Sequence, residues 1–400
     1  MLKIGLIKEG KYPPDNRVAL TPAQCKWIHQ KSDQLRVVVE SCKTRCFGDR
    51  EYGMAGIDVV TDVSDCDILL GIKEVPIARL IAGKIYLFFS HTKKMQPYNK
   101  ALLQAILKHN ITLIDYECLE HEDGQRILGF GFFAGVVGAH NGMMAYGKRS
   151  GSFHLQRVYE QKNFKELIHT YFGLKVPPIK IAVTGSGRVA GGILEIMNLL
   201  GVIEVEPEEF LARKFSYPVF THLKGPHLYK HKQHGTYNRE DFHLYPENYS
   251  SSFYPYTTHT DILINGIYWN NKAPRLFEWE HLKNPQFSIC TIADITDDLD
   301  GSVPCNLGDA TIEEPIYGVD RDARIKTAPY LPTGIDIMAV GNLPNELPRD
   351  ASQYFGEQLI KYVLEDLVNG GSEIIDRATM VRNGRLTERF SYLSEYAGLL

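Results

Sequence analysis

Residues 179–200 constrain the fold of this chain more than any other segment. Ile179-Lys-Ile-Ala-Val-Thr184 is a β-branched, apolar run of the kind a buried strand requires. Gly185-Ser186-Gly187-Arg188-Val189-Ala190 follows at once, and Ile193–Leu200 then carries apolar residues at helical spacing. Strand, glycine turn and helix in that order open a βαβ unit whose turn faces an anion. Gly185 permits the tight turn, and Gly187 lets the backbone approach a pyrophosphate. The N–H groups of the first helical turn then face the phosphate oxygens. Ala190 is an accepted residue at the third position of the fingerprint. A lone string of this kind is weak, and it gains force from lying between a strand and a helix. Val202-Ile-Glu-Val-Glu206 reads as the next strand. Glu206 lies 21 residues after Gly185, where an acid binds adenosine ribose hydroxyls. An acid there favours NAD, while Arg213 and Lys214 nearby keep NADP open. An exposed strand-end carboxylate is the plainer alternative for Glu206.

The rest of the chain fits around this unit. Residues 1–130 alternate short strands (Lys3–Ile7, Arg36–Glu40, Ile68–Ile72, Ile85–Phe89, Thr112–Asp115) with helical stretches such as Pro22–Gln30 and Pro97–Lys108. Thr21 is a natural N-cap with Pro22 at the first helical position. Such alternation predicts a parallel sheet covered on both faces. The small, apolar run Gly129–Gly142 reads as the start of a closely packed helix joining two domains. Three more strand-like segments follow: Asp261–Gly266, whose Asn265 and Gly266 suit a position against a cofactor, Ser288–Asp294, and Ala339–Pro344, which contains Asn342. The last stretch, 346–400, reads as helical and returns to the first domain. The expected architecture is α/β, with two Rossmann-like domains: 1–131 plus 346–400, and 132–345 with an insertion at about 211–260. That segment holds six of the fourteen histidines and reads as a long loop or a small insertion in the nucleotide domain. His227, His231 and His234 lack an acid or cysteine at ligand spacing, so no metal is assigned.

Composition narrows the function classes. A net charge of −4 carries no electrostatic footprint for nucleic acid. No run of eighteen apolar residues exists to span a membrane. Met1-Leu-Lys-Ile-Gly-Leu-Ile reads as a strand rather than a signal or transit peptide. Seven scattered cysteines fit reduced thiols and a cytoplasmic protein.

Two strand-like runs end in groups suited to proton transfer: Asp67-Ile-Leu-Leu-Gly-Ile-Lys73-Glu74-Val-Pro76 and Ile85-Tyr-Leu-Phe-Phe-Ser-His91. A lysine and a histidine on neighbouring core strands make an acid/base pair, because burial lowers a lysine pKa toward neutrality. A snorkelling lysine and a turn-capping histidine are the plain alternative.

Several segments together resemble the lysine-forming saccharopine dehydrogenases, or lysine–2-oxoglutarate reductases, of the alanine dehydrogenase and transhydrogenase superfamily. They are Arg17-Val-Ala-Leu-Thr-Pro22, Gly71-Ile-Lys-Glu-Val-Pro76, Phe88-Phe-Ser-His-Thr92, Leu113-Ile-Asp-Tyr-Glu117, Val205-Glu-Pro207, Leu263-Ile-Asn-Gly-Ile-Tyr-Trp269, Ala293-Asp-Ile-Thr296 and Asn342–Pro348. The resemblance spans nearly the whole chain in the family's order. It implies an interdomain cleft, with Lys73 as base and His91 as acid. It implies that Arg17 and Arg126 hold substrate carboxylates, and that Glu74 and Glu117 tune the lysine and meet the substrate ammonium. Asp298 matches an aspartate that is catalytic in the alanine dehydrogenase branch. The cofactor would be NAD, with NADP possible, held by Gly185, Ser186, Gly187, Arg188, Val189, Glu206, Asn265, Gly266 and Asn342. Gly341 departs from the family, which usually has an aspartate there near the nicotinamide ribose.

The implied substrates are saccharopine, lysine and 2-oxoglutarate. Oxidation at the glutaryl carbon gives an imine. Water adds, and the carbinolamine collapses to lysine and 2-oxoglutarate. Arginines fix carboxylates bidentately, and two groups with opposed pKa shifts move the protons. The nicotinamide takes the hydride, so no metal is needed. Two other readings stay open, an amino acid dehydrogenase of alanine type and a non-catalytic NAD-binding relative. Oligomeric state is open as well.

Overall fold

Short β-branched runs buried on both faces generate two sheets in the computed structural model, which describes residues 1–399. In its first part the chain forms β1 Leu2–Leu6, β2 Leu35–Glu40, β3 Asp58–Val60, β4 Ile68–Leu70, β5 Ile85–Phe88 and β6 Thr112–Asp115. The middle part forms β7 Lys180–Thr184, β8 Ile203–Glu204, β9 Val219–Leu223, β10 Tyr229–His231, β11 Tyr249–Ser251 and β12 Ile262–Asn265. It continues with β13 Thr291–Asp294, β14 Ile316–Asp320, β15 Ile325–Thr327 and β16 Ile335–Met338. β17 Thr379–Arg382 and β18 Arg385–Leu386 close the chain. Two compact units result, residues 1–130 with the segment from Pro348 onward, and residues 131–347.

The first unit's sheet has the order β18-β17-β6-β5-β4-β1-β2-β3. β1 to β6 are parallel, and the order reverses between β1 and β4. A doubly wound sheet opens its ligand crevice at such a switch point, at the carboxyl ends of the strands. The helix Pro22–Lys31 starts as its sequence dictates: the Thr21 side chain accepts the Gln24 N–H, and Gln24 caps in return. The C-terminal stretch departs from the all-helical reading. After the helix Pro348–Leu359, β17 and β18 form a hairpin that extends the sheet antiparallel to β6. Asn383-Gly384, both at positive φ, supplies the turn.

The second unit's sheet has the order β15-β14-β16-β13-β12-β7-β9-β8, with its switch point between β7 and β12. Two features of this sheet have one cause. Residues 211–260 are not a loop, because β9 lies within them and pairs in parallel with β7 over five residues. The strand after the glycine-turn helix, β8, is displaced to the sheet edge, where it pairs only with β9. Val219, Phe220 and Thr221 are fully buried, whereas Ile203 and Glu204 are exposed. A strand covered on both faces must be apolar throughout, so β9 takes the inner position. The remainder of the insertion forms the β10–β11 ladder around Tyr229, Phe242 and Tyr249. Its histidines serve turns: His231 Nδ1 accepts the Gln233 and His234 N–H groups at 3.2 and 3.3 Å. Among the described residues no cluster of His, Cys, Asp or Glu could hold a metal ion. No helix among them is long and apolar enough to cross a membrane.

The Gly129–Gly142 run becomes the helix Gly131–Ser150, which lies against the helix Arg188–Leu199. A Cβ on Gly135 would collide with the carbonyl of Val189, and one on Gly192 with that of Phe132. The two backbones meet because both positions lack a side chain. Overpacking such a contact costs about 1–3 kcal/mol, so Gly135→Val is expected to lower the unfolding free energy of the second unit by that amount, read as a lower urea midpoint. An unchanged midpoint would show that the helices can separate at no cost.

Candidate active site

Lys73 stands three residues beyond the end of β4, and His91 three beyond the end of β5, its parallel neighbour. The loop bearing Lys73 is anchored from β1: the Glu9 carboxylate accepts the Ile72 N–H at 2.7 Å and the Lys73 N–H at 2.9 Å. The Lys73 ammonium forms no hydrogen bond or ion pair with a described residue. Burial, then the nearby Arg17 charge, lowers its pKa to about 8. Glu9 moves the other way, to about 7, through burial and the charge of Asp15. A base and an acid that both titrate near neutrality thus lie at the switch point of the sheet.

His91 has φ of 54°, a left-handed conformation that is strained for a non-glycine residue. Its Nδ1 meets Glu74 Oε1 at 2.7 Å, which leaves Nε2 open. Lys11 Nζ binds the second Glu74 oxygen at 3.2 Å. Burial raises the Glu74 pKa, but the His91 hydrogen bond and charge outweigh it and bring it to about 2. Both Glu74 oxygens are therefore engaged by protein. This geometry makes Glu74 the partner of His91.

Arg17 is 3% exposed and grips Asp15 in a fork, Nε to Oδ1 at 2.9 Å and Nη2 to Oδ2 at 2.5 Å. Its guanidinium lies 4.1 Å above the Phe130 ring, which stacks on Phe355 at 4.8 Å. Burial opposes ionisation of Asp15, and Arg17 overcomes it, holding the pKa at about 2. The second arginine, Arg126, is 40% exposed in its side chain and donates to Glu117 at 2.8 Å. Glu117 is 3% exposed, with Lys94 at 3.7 Å and its Oε2 without a partner. Burial raises the Glu117 pKa, but Arg126 and the two lysines lower it overall.

In the second unit Gly185 has φ of 110°, and a Cβ on it would lie 2.5 Å from the Gly266 carbonyl oxygen. Glycine is obligatory there. Gly187 has open space on its Cβ side, and Arg188 begins a twelve-residue helix directly after it. This cradle fits a dinucleotide pyrophosphate. Ser186 is exposed, and Val189 packs on Gly266. Asn265 is fully buried and spent internally. It accepts from Thr184 at 2.6 Å and donates to Asp294, Ser302 and Thr296. These bonds hold the ends of β7, β12 and β13 together.

The strand beside β7 is β9, which runs into Lys224, whereas exposed Glu206 follows the edge strand β8. Lys224 is exposed, and its Nζ forms no bond with a described residue. His222 Nε2 meets the Gly185 carbonyl at 2.7 Å. Asn342 immediately precedes a short helical turn, Leu343–Glu346. The space beside Gly341 holds two carboxylates from another loop, Asp297 Oδ2 and Asp309 Oδ2, at 3.2 and 3.6 Å from where its Cβ would stand. Asp297 has φ of 57°, and burial with the neighbouring Asp309 pushes its pKa up. Asp298 is exposed in the same loop.

Sequence reasoning missed Asp15, Glu9 and Lys224. Asp15 lies two residues before Arg17, and that proximity was a usable signal. The roles of Glu9 and Lys224 depend on strand neighbours distant in sequence.

Strand order, glycine turn and strand-end acid/base groups define a two-domain α/β dinucleotide-binding class. In fold the chain is similar to an L-alanine dehydrogenase, with a TM-score of 0.66 at 18% identity over 99% of both chains. A transhydrogenase from Sinorhizobium meliloti is also similar, with a TM-score of 0.58 at 16% identity over 96% of this chain and 98% of that one. Residues 5–137 match the family described as alanine dehydrogenase/PNT, N-terminal domain. Alpha-aminoadipic semialdehyde synthase of Rattus norvegicus is 31% identical over 95% of this chain and 46% of that protein. The Arabidopsis thaliana protein of that name is 27% identical over 98% of this chain and 41% of its own length. Saccharopine dehydrogenase [NAD(+), L-lysine-forming] of Yarrowia lipolytica is 25% identical over 91% and 92%. The chain is thus similar over nearly its whole length to alpha-aminoadipic semialdehyde synthases and to saccharopine dehydrogenases, and its first part matches the alanine dehydrogenase/PNT N-terminal domain. It spans about half the length of the animal and plant relatives.

Breaking the Arg17–Asp15 fork strands a guanidinium that is 3% exposed. Removing one partner of a buried pair costs about 3–5 kcal/mol, so Asp15→Asn should destabilise the first unit by that amount in urea denaturation. A loss under about 1 kcal/mol would place the pair among weak surface bridges.

Proposed function

We propose that this chain is a nicotinamide-dependent oxidoreductase that interconverts saccharopine with lysine and 2-oxoglutarate. The observation that carries the reading is the Lys73–Glu74–His91 arrangement: a desolvated lysine, and a histidine pinned by the next carboxylate, at adjacent strand ends. Homology to saccharopine dehydrogenases and to alpha-aminoadipic semialdehyde synthases supports it.

The chemistry follows from the groups present. Lys73, neutral above about 8, takes a proton from the secondary amine, releases it to solvent as the neutral amine is restored, and then takes a second proton from the attacking water. His91 delivers a proton from Nε2 to the departing lysine nitrogen, while Glu74 holds Nδ1 and fixes the tautomer. Arg126 offers exposed N–H groups to a carboxylate, and the Arg17 charge acts on Lys73 from its fork with Asp15. A bound nicotinamide would supply the hydride acceptor. Gly185, Gly187 and the N-terminus of the helix Arg188–Leu199 would hold its pyrophosphate. Purified protein with lysine, 2-oxoglutarate and NADPH or NADH should deplete the reduced cofactor. Failure with both cofactors sinks the reading.

For saccharopine oxidation, Lys73 must be unprotonated at the start. log(kcat/KM) is therefore expected to rise with pH, with a slope near one, until a value of about 8, and then level off. Lys73→Met should abolish that limb along with most of the rate. A limb that persists in the variant assigns the base elsewhere.

We further propose that the cofactor is the 2′-phosphorylated dinucleotide. The strand next to the glycine-turn strand normally ends in an acid that binds ribose hydroxyls, and a cation there accommodates a 2′-phosphate. Here that strand leads into Lys224. A charge-assisted bond is worth about 1.5–3 kcal/mol. Lys224→Ala should thus weaken NADPH binding at least about tenfold and NADH binding little, as read by cofactor fluorescence. Equal effects on both cofactors would remove Lys224 from the 2′-phosphate.

A further inference from the structure

Asp115 ends β6 and is fully buried, so it cannot touch a substrate. Its two oxygens reach two different functional segments. Oδ2 accepts the Ser90 N–H at 3.1 Å and also the Ser90 hydroxyl. Oδ1 accepts the Glu117 N–H at 2.7 Å. Ser90 Oγ in turn accepts the Thr92 N–H at 3.2 Å and pairs with the Thr92 hydroxyl at 2.7 Å. Both neighbours of His91 are thereby tied to one carboxylate, and both are fully buried. His91 lies between them in its left-handed conformation, a state that persists only where its surroundings over-determine it. On the other arm, Glu117 carries the bond to Arg126.

We propose that Asp115 is a positioning residue of the acid/base site. It fixes the left-handed turn that presents His91 and, through its second oxygen, the Glu117 turn that holds Arg126. This rests on the saccharopine reading above for its kinetic consequence, though not for its geometry. The cost of losing Asp115 should therefore be expressed through His91, whereas a general structural role would cost the same with or without that histidine.

Asp115→Asn keeps the side-chain shape but turns an N–H donor toward the Ser90 N–H. In the otherwise unchanged protein, kcat should fall at least about tenfold, while the dinucleotide affinity measured by fluorescence stays within about twofold. In a His91→Gln background the same substitution should cost less than about threefold. Equal losses in both backgrounds, or a loss under about threefold in the first, overturn the proposal. Should Asp115→Asn fail to fold, Ser90→Ala removes the same arm, and the same pattern with a smaller loss is expected. Absence of turnover in the unmodified protein would defeat the saccharopine reading and not this one. A crystal structure of the variant decides the geometry without activity. His91 should leave positive φ, and a retained left-handed His91 with Ser90 and Thr92 unmoved overturns the proposal.

Discussion

The buried ion pair of Arg17 and Asp15 sets the electrostatics on which the first unit's chemistry depends. Two opposite charges are held in a region that water barely reaches, and each then acts on a third group. The Arg17 charge adds to burial in lowering the Lys73 pKa, and the Asp15 charge adds to burial in raising that of Glu9. The pair is affordable because its fork is saturated and because Phe130 covers the guanidinium face. The Arg17 charge makes the Lys73 ammonium harder to keep protonated, and the Asp15 charge offsets part of that effect.

Backbone N–H groups at strand ends are the second constraint. A parallel strand that stops leaves donors that must be satisfied. Here side-chain carboxylates from neighbouring strands take them: Glu9 takes those of Ile72 and Lys73, and Asp115 those of Ser90 and Glu117. The loops bearing Lys73 and His91 are thereby fixed by the sheet. Glu74 then joins the loops directly through His91.

The second unit solves a different problem. Its glycine turn needs Gly185 at positive φ beneath the Gly266 carbonyl, and its two long helices touch through Gly135 and Gly192. The polar side chains that sequence pattern offers to a ligand are partly consumed in building this frame. Asn265 binds Thr184, Asp294, Ser302 and Thr296, so its burial at a strand end serves the sheet. Beside Gly341, two carboxylates from elsewhere stand near the place an aspartate would have occupied.

Local pattern was enough for the glycine turn, the capped helix at Pro22, the alternation of strands and helices, and the placement of Lys73 and His91 at strand ends. Each of these is a property of residues within a few positions of one another. Tertiary structure decided everything that depends on which strand lies beside which. The exchange of β8 and β9 follows from competition for a fully covered position, which the more apolar strand wins, and it places Lys224 where Glu206 was expected. The hairpin at residues 379–386 needed the free edge of β6 to become a strand at all. The engagement of Arg17 by Asp15 and of Glu74 by His91 and Lys11 is likewise a matter of burial and distance. A sequence can show that a charged residue is present, but only the packed chain decides which partner removes its charge from water.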